Sequence, residues 1–178
     1  KMRINTVIGR LNYASLVGMP DLAAELGANE LNLIPLDEHT GLLQRLNKRQ
    51  IKNYNKNMAP VIAEKALALG LIQHARQAYP FGLSSQQIEL SKQGQYAHGY
   101  YERQPCFAPW THALIDHRGR ISVCCMLREG PIMGDLGRQP FVEVWAGAKY
   151  AALRASQSRP LFPACRRCDD FLAENQRL

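Results

Sequence analysis

The chain has 178 residues, enough for one ordinary domain or for a small domain with part of a second. Hydrophobic residues make up 46% of it, which predicts a buried core and excludes a disordered chain. No apolar run approaches the roughly 20 residues that span a bilayer, so no membrane segment is expected. The net charge of +7 is scattered rather than gathered in basic runs, which argues against nucleic-acid binding.

The N-terminal stretch KMRINTVIGRLN lacks the apolar segment of a secretory signal and begins directly in a predicted strand. We therefore expect a cytoplasmic protein, and a chain that is a fragment of a longer one. All five cysteines lie at or after Cys106. In a cytoplasmic chain we expect them to be reduced, and clustered reduced cysteines indicate a metal site or redox chemistry.

The first part of the chain alternates between predicted strands and helices. Residues 3–9 and 29–36 are apolar and β-branched enough for strands. Between them, MPDLAAELG predicts a helix that ends at Gly27. Apolar residues at spacings of three and four predict an amphipathic helix over residues 47–71, which Pro60 kinks or divides.

This alternation predicts an α/β fold with parallel strands joined by helical crossovers. Two parallel strands need neighbours for stability, so residues 1–70 are expected to be the end of a larger α/β barrel or sheet. Residues 71–105 are polar and rich in Gly, Ser, Gln and Tyr. They predict a linker with short irregular or helical pieces.

The last part of the chain begins with a predicted hairpin. The sequence HALIDHRGRISVCC reads as strand, turn and strand, with Gly119 in the turn. Such a hairpin brings Cys106 and Cys124, at its two ends, close together. After a second turn, PFVEVWAGAKYAALRAS predicts one helix that starts at Pro140, and PACRRC predicts a tight turn that presents two thiols.

Four thiols, those of Cys106, Cys124, Cys165 and Cys168, can satisfy either a structural zinc ion or an iron–sulfur cluster. The separation of the first pair is long for a zinc knuckle and favours a cluster, while zinc stays open as the alternative. Cys125 would point to the opposite face of a strand from Cys124. It is therefore predicted to be a buried core residue and not a ligand.

These elements resemble the auxiliary-cluster domain of radical S-adenosylmethionine (SAM) enzymes. The shared features are Cys-x12-Gly-x4-Cys, the Gly-Asp-Leu turn, the Trp helix with YAALR and the closing Cys-x-x-Cys, over about residues 106–170. The family form is called SPASM, and its shorter version with one auxiliary cluster is called twitch. No cysteine follows Cys168, so the resemblance implies the twitch form, with one 4Fe–4S cluster on the four cysteines.

The resemblance also implies a domain organisation. Residues 1–70 would be the two terminal βα units of a partial TIM-like barrel, residues 71–105 a linker, and residues 106–178 a small α+β twitch-like domain. Residues after barrel strands usually face the active site. Arg10 and Asn12 are therefore candidate contacts for SAM or substrate, with ordinary loop capping as the alternative, and His39 is a weaker candidate of the same kind.

The family's catalytic cluster needs a Cys-x-x-x-Cys-x-x-Cys motif, and no cysteine precedes Cys106. The chain is therefore expected to be inactive by itself and to depend on a missing N-terminal barrel half that carries this cluster. In the full-length enzyme, SAM would be the cofactor and a peptide or small molecule the substrate. The auxiliary cluster would relay an electron or position substrate. The competing hypothesis is a non-catalytic scaffold or binding module with zinc on the four cysteines.

Overall fold

The computed structural model describes residues 1–38, 44–127, 129–169 and Asn175. The chain divides into two compact units, residues 1–98 and 99–178. Within the described ranges, every helix is too short or too polar to pass through a membrane. The candidate His39 lies outside the described residues.

The first unit is built on two parallel strands. Strand β1 (Arg3–Ile8) pairs with β2 (Glu30–Pro35), so that Arg3 lies opposite Glu30 and Ile8 opposite Pro35. The crossover contains a 3-10 helix (Leu16–Gly18) and α1 (Met19–Glu25). The remaining helical segments are α2 (Lys48–Asn53), a π-helical turn (Tyr54–Met58), α3 (Ala59–Ala68), a 3-10 helix (Ala75–Ala78) and α4 (Ser85–Lys92).

The predicted alternation of strands and helices in this unit is confirmed. Gly27 has a φ of +73°, as the predicted helix end requires. The long helix is divided near Pro60, which lies in the first turn of α3 directly after the π-helical turn. Proline lacks the N–H that a continuous helix would need there, which explains the interruption. Two paired strands do not define a barrel, and the predicted partial TIM-like barrel is not confirmed.

Residues 71–98 pack into the first unit. Their buried side chains join those of β1, β2, α2 and α3 in one hydrophobic core, and the Tyr54 hydroxyl donates a 3.0 Å hydrogen bond to the Ala78 carbonyl. Residues 99–105 belong to the second unit. The segment that the sequence predicts as a linker is thus divided between the two units. The residues of 71–98 that belong to this hydrophobic core are Leu71, Ile72, Ala78, Phe81, Ile88 and Tyr96.

His98 is held neutral at the end of the first unit. The buried Ser91 hydroxyl donates its one proton to the Phe81 carbonyl at 2.9 Å, so it accepts from His98 Nε2, which lies 2.7 Å away. The neutral imidazole therefore carries its proton on Nε2. Burial, together with the charge of Arg76, lowers the pKa of His98 to about 4.

This pKa shift predicts acid sensitivity of the first unit. Between the ordinary value of about 6.5 and the folded value, the unfolded chain binds the proton and the folded chain does not. Stability is therefore retained above about pH 6.5 and lost as the pH falls towards 4, by roughly 2 kcal/mol after allowance for solvent screening.

Urea titrations at about pH 7.5 and about pH 4.5, followed by far-UV circular dichroism, measure this loss. The variant His98→Asn removes the titrating ring and tolerates the φ of +51° at this position. It should lose about 2 kcal/mol less than the wild type between the two pH values. Equal losses in the two proteins would show that His98 is not the responsible group.

The second unit combines a small antiparallel sheet with short helices. The strand order is β3–β4–β5, and both pairings are antiparallel. Its core contains buried residues of the sheet and helices together with Cys124. The elements are α5 (Ala108–Thr111), β3 (Leu114–Ile115), β4 (Arg120–Ser122), a 3-10 helix (Cys125–Leu127), β5 (Gly134–Asp135), α6 (Phe141–Ala146), α7 (Ala148–Ala155) and a 3-10 helix (Pro163–Arg167).

The predicted hairpin is confirmed as β3 and β4. Its turn ends at Gly119, whose φ of +77° is strained for any residue with a Cβ atom. Asp116 fixes the turn because its Oδ1 accepts from the backbone N–H groups of Arg118 and Arg120, each at 2.9 Å. The chain therefore reverses direction between Cys106 and Cys124, as the sequence predicts.

The prediction of one helix after Pro140 is wrong, because Gly147 separates α6 from α7. Gly147 has an extended conformation, with φ −74° and ψ 169°, and serves as the end of one helix and the start of the next. A Cβ atom there would lie 2.8 Å from the Glu143 carbonyl oxygen. The bend thus needs glycine, and it lets Trp145 and Tyr150 pack together at a ring-centroid distance of 4.8 Å.

Candidate metal centre

The hairpin half of the site supplies Cys106 and Cys124. Cys106 precedes α5, and Cys124 lies between the end of β4 and the 3-10 helix Cys125–Leu127. Cys124 is a buried member of the second core, and the half-buried Cys106 packs against that same core. The chain reversal therefore places both thiols at one side of the unit.

The Cys-x-x-Cys half of the site is a single helical turn. Cys165 and Cys168 lie in and just after the 3-10 helix Pro163–Arg167, with the Cys168 N–H donating to the Cys165 carbonyl at 3.2 Å. This helix contacts the 3-10 helix that follows Cys124, which joins the two halves. Arg166, between the two cysteines, forms an ion pair with Glu102 at 2.8 Å.

The thiols are largely buried, and the charge on one thiol affects the pKa of another. Burial raises the pKa of Cys106 and Cys165, and it raises that of Cys124 to about 12. Like-charge repulsion from Cys125, and to a smaller extent from Cys106 and Cys165, adds to the shift at Cys124, so these four thiols share one neighbourhood. A cation bound among them would offset the cost of forming buried thiolates.

Each of the four predicted ligand thiols is near a hydrogen-bond donor. The backbone N–H of Ala108 and the Asn175 side chain donate to Cys106, and the backbone N–H of Met126 donates to Cys124. Backbone N–H groups also donate to Cys165. The Tyr101 hydroxyl lies 3.8 Å from the Cys168 sulfur. Donors of this kind stabilise metal-bound thiolates and set the potential of iron–sulfur clusters.

The residues fit an iron–sulfur cluster by their chemistry. They provide four sulfur atoms, burial from water and donors directed at the sulfurs, which is the donor set that such clusters use. Within the described ranges, no three His, Cys, Asp or Glu side chains are placed to hold one metal ion. The thiols thus lie in one neighbourhood of the second unit, but not at the separation of ligands on a single ion.

Cys125 differs from its neighbour in burial. Strand β4 ends at Ser122, so the alternation of strand side chains does not reach Cys124 and Cys125. Cys124 is 8% exposed, whereas Cys125 opens a 3-10 helix, is only half-buried and is not part of the core. The prediction that Cys125 is a core residue is therefore wrong, while its assignment as a non-ligand stays a prediction.

The structure places Arg10 and Asn12 after β1, as predicted, but in local contacts. Asn12 Oδ1 accepts from the Gly9 N–H at 2.9 Å, and Asn12 Nδ2 donates to the Val7 carbonyl at 2.8 Å. Arg10 donates from Nη2 to the Arg45 carbonyl at 3.3 Å. Asn12 thus has the geometry of a loop cap, the alternative that the sequence left open, and a cofactor role for either residue stays a prediction.

Sequence reasoning missed three polar residues beside the thiols, namely Tyr101, Tyr150 and Asn175. Tyr101 and Tyr150 are 1% and 0% exposed, and Asn175 is 5% exposed. Tyr101 carried a signal, because it belongs to an aromatic pair just before Cys106 and large rings favour the core of a small unit. Asn175 carried no such signal, because it is a single polar residue far from the cysteine motif and belongs to no periodic pattern that predicts burial.

A cleft of about 570 Å³ opens beside the sheet of the second unit. Residues of β4, β5, α6 and α7 line it, and its charged side chains have both signs. The cations are Arg120, Arg138 and Lys149, and the acids are Asp135 and Glu143. Sequence reasoning did not find this cleft, because its lining comes from four separate elements.

The five cysteines all lie in the second unit, which follows the unit with two parallel strands in the chain. Residues 106–169 match the family model SPASM, whose description is an iron–sulfur cluster-binding domain. The match covers about a third of the chain and includes all five cysteines. Searches of curated proteins and of solved structures found no match.

Proposed function

We propose that this chain is part of a radical SAM enzyme and holds one auxiliary 4Fe–4S cluster on Cys106, Cys124, Cys165 and Cys168. The observation that supports the proposal is that Cys106 and Cys165 act electrostatically on Cys124, while Cys168 shares the turn of Cys165. The SPASM match over the same residues supports iron–sulfur binding. A cluster with four thiolate ligands supplies one-electron chemistry when bound.

In the reaction, the chain itself would hold the cluster, shield it from water and help to orient the substrate. The two thiol-bearing turns would hold the ligands, and three of the four cysteines are buried from water. Low solvent access and hydrogen bonds to sulfur are the means by which a protein adjusts a cluster's potential. In this proposal the auxiliary site relays an electron or helps to position substrate.

The activating chemistry would come from sequence outside this chain. With no cysteine before Cys106, the chain has no ligands for the catalytic cluster of the radical SAM family. We propose that a barrel half with that cluster and SAM works together with residues 1–98, whose parallel strands and crossover helix have the corresponding βα order. Arg10 and Asn12, after the first of these strands, are the proposed contacts for SAM or substrate.

The cleft in the second unit is the proposed place for part of the substrate. Its paired signs of charge suit a polar ligand with both an anionic and a cationic group, as a peptide or an amino-acid-like small molecule has. Reduced thiols at all five cysteines support a cytoplasmic location in this proposal.

Metal analysis of the chain purified without oxygen tests the proposal. We expect a brown protein with about four iron and four sulfide per chain and broad absorption at roughly 400 nm. The competing hypothesis, a zinc-binding scaffold, rests on the same four thiols. A colourless protein with about one zinc per chain, also after reconstitution with iron and sulfide, would contradict the cluster and favour the scaffold.

A further inference from the structure

The orientation of the buried Asn175 amide is fixed by the backbone. Its Oδ1 atom accepts a 2.6 Å hydrogen bond from the Phe107 N–H, and this contact requires an oxygen. The opposite end of the amide is therefore the NH2 group, which resolves the usual ambiguity of an asparagine side chain. That NH2 group lies 3.2 Å from Tyr101 Oη, and its interaction with the Cys106 thiol lowers the pKa of that thiol against the effect of burial.

The Tyr101 hydroxyl continues this chain of hydrogen bonds to a second sulfur. Its oxygen accepts from Asn175, so its own proton remains available, and Cys168 Sγ lies 3.8 Å away. A thiol at Cys168 could act as donor or acceptor. A metal-bound thiolate has no proton, so in that state the hydroxyl must be the donor.

We propose that Asn175 and Tyr101 form a hydrogen-bond relay that donates to the ligand sulfurs of Cys106 and Cys168, raises the reduction potential of the bound cluster and slows its loss. This inference rests on the function proposed above. Reduction adds negative charge that spreads onto the sulfur ligands, and N–H and O–H donors stabilise the reduced state more than the oxidised one. The relay is almost fully buried, which strengthens each contact.

The relay also connects the two halves of the ligand set. Cys106 comes from the hairpin half and Cys168 from the Cys-x-x-Cys half, and one amide and one hydroxyl lie between them. Tyr101 and Asn175 are thus positioning residues that act through the cysteines. Substituting them should change the reduction potential and the retention of the cluster while the fold is kept.

The variant Tyr101→Phe tests the hydroxyl against a matched control at the next position. Tyr100 has the same side chain, but its hydroxyl donates to the backbone carbonyl of Asn175 at 3.0 Å and not to sulfur. Redox titration of the iron-loaded chain should give Tyr101→Phe a roughly tenfold lower ratio of reduced to oxidised cluster at a fixed potential. For a one-electron couple this is a shift of about 59 mV. Tyr100→Phe should keep the wild-type potential.

Two substitutions at Asn175 distinguish its donation to sulfur from its contact with the Phe107 N–H. Asn175→Leu removes all polar contacts, whereas Asn175→Asp keeps an oxygen for the Phe107 N–H and loses the donors. Both variants should release iron to a chelator severalfold faster than the wild type. Release from Asn175→Asp at the wild-type rate would show that only the contact with Phe107 matters and would overturn the relay.

The outcomes distinguish this inference from the function on which it rests. A chain that loads iron, with an unchanged potential in Tyr101→Phe, contradicts the relay and leaves the proposed function intact. A chain that loads zinc instead, and releases it faster in Tyr101→Phe than in Tyr100→Phe, contradicts the proposed function and supports donation to the thiolates. A chain that binds neither metal contradicts both.

Discussion

Replacing Cys165 with alanine is expected to remove the cluster and, with it, most of the stability of the loaded second unit. Cys165 is 8% exposed and lies in the turn that also positions Cys168. Loss of one of four thiolates leaves an iron without a protein ligand. Anaerobic iron analysis should therefore fall from about four iron per chain to well under one.

The expected stability change follows from the thermodynamic coupling between cofactor binding and folding. A cofactor that binds only the folded state adds about 4 kcal/mol when it is present at a thousand times its dissociation constant. For a unit of this size, that is a difference in melting temperature on the order of 15 °C between loaded wild type and Cys165→Ala. Without metal the two proteins should differ by only about 1 kcal/mol, since the deleted sulfur is small.

Cys125→Ala is the matched control for this prediction. Cys125 adjoins a predicted ligand but is half-buried and outside the core, so its loss should leave both iron content and melting temperature near the wild-type values. A chain that keeps its iron in Cys124→Ala and loses it in Cys125→Ala would reverse the ligand assignment.

The sequence predicted the hairpin and the crossover helix correctly, because each depends on residues that are close together in the chain. The hairpin was foreseeable because Asp116 and Gly119 serve a turn by their own conformational preferences, and the structure uses both in that way. The crossover helix was foreseeable from Gly27 for the same reason. The four ligand candidates came from spacing, which is also a local property of the chain.

The differences have two causes. The bend at Gly147 is local, since a Cβ atom there would lie 2.8 Å from the Glu143 carbonyl oxygen, but apolar periodicity does not detect it. Residues 71–98 looked like a linker because their apolar residues are sparse. Phe81 and Tyr96 nevertheless pack ring to ring in the first core, at a centroid distance of 6.4 Å.

The same limit applies to the candidate site. Hydrogen bonds to sulfur come from backbone N–H groups that no residue type encodes, and from Asn175, which lies 68 residues after Phe107. A sequence pattern therefore finds candidate metal ligands more readily than the polar groups that lie beside them. The relay and the cleft both became visible only when separate segments were brought together.

Tyr150→Phe is expected to stabilise the metal-free second unit, although it removes a polar group from the core. Tyr150 is 0% exposed, and within the described residues its hydroxyl has no hydrogen-bond partner. A buried hydroxyl without a partner costs roughly 1–3 kcal/mol. Phenylalanine removes that cost and keeps the ring, which packs on Trp145 and lies 5.0 Å from the Arg154 guanidinium carbon. We expect a gain of about 1 kcal/mol.

Tyr150→Ala should have the opposite and larger effect. It deletes the ring that fills the space between α6, α7 and Cys124, and large-to-small changes at such sites cost about 3–5 kcal/mol. Both tryptophans of the chain, Trp110 and Trp145, lie in the second unit. Urea unfolding of metal-free protein followed by tryptophan fluorescence therefore reports on this unit separately from the first.

Tyr101→Phe is the third variant of this comparison. It removes a hydroxyl, as Tyr150→Phe does, but it should lower the stability of the metal-free unit instead of raising it. The Tyr101 hydroxyl accepts from Asn175 and contacts Cys168, so its removal leaves a buried amide donor without its partner. That change should destabilise the metal-free unit by about 1 kcal/mol. If Tyr150→Phe instead destabilises the unit as much as Tyr101→Phe does, the Tyr150 hydroxyl must have a hydrogen-bond partner in solution. The candidates are then Arg154 and Cys124, the two groups whose charges act on this hydroxyl.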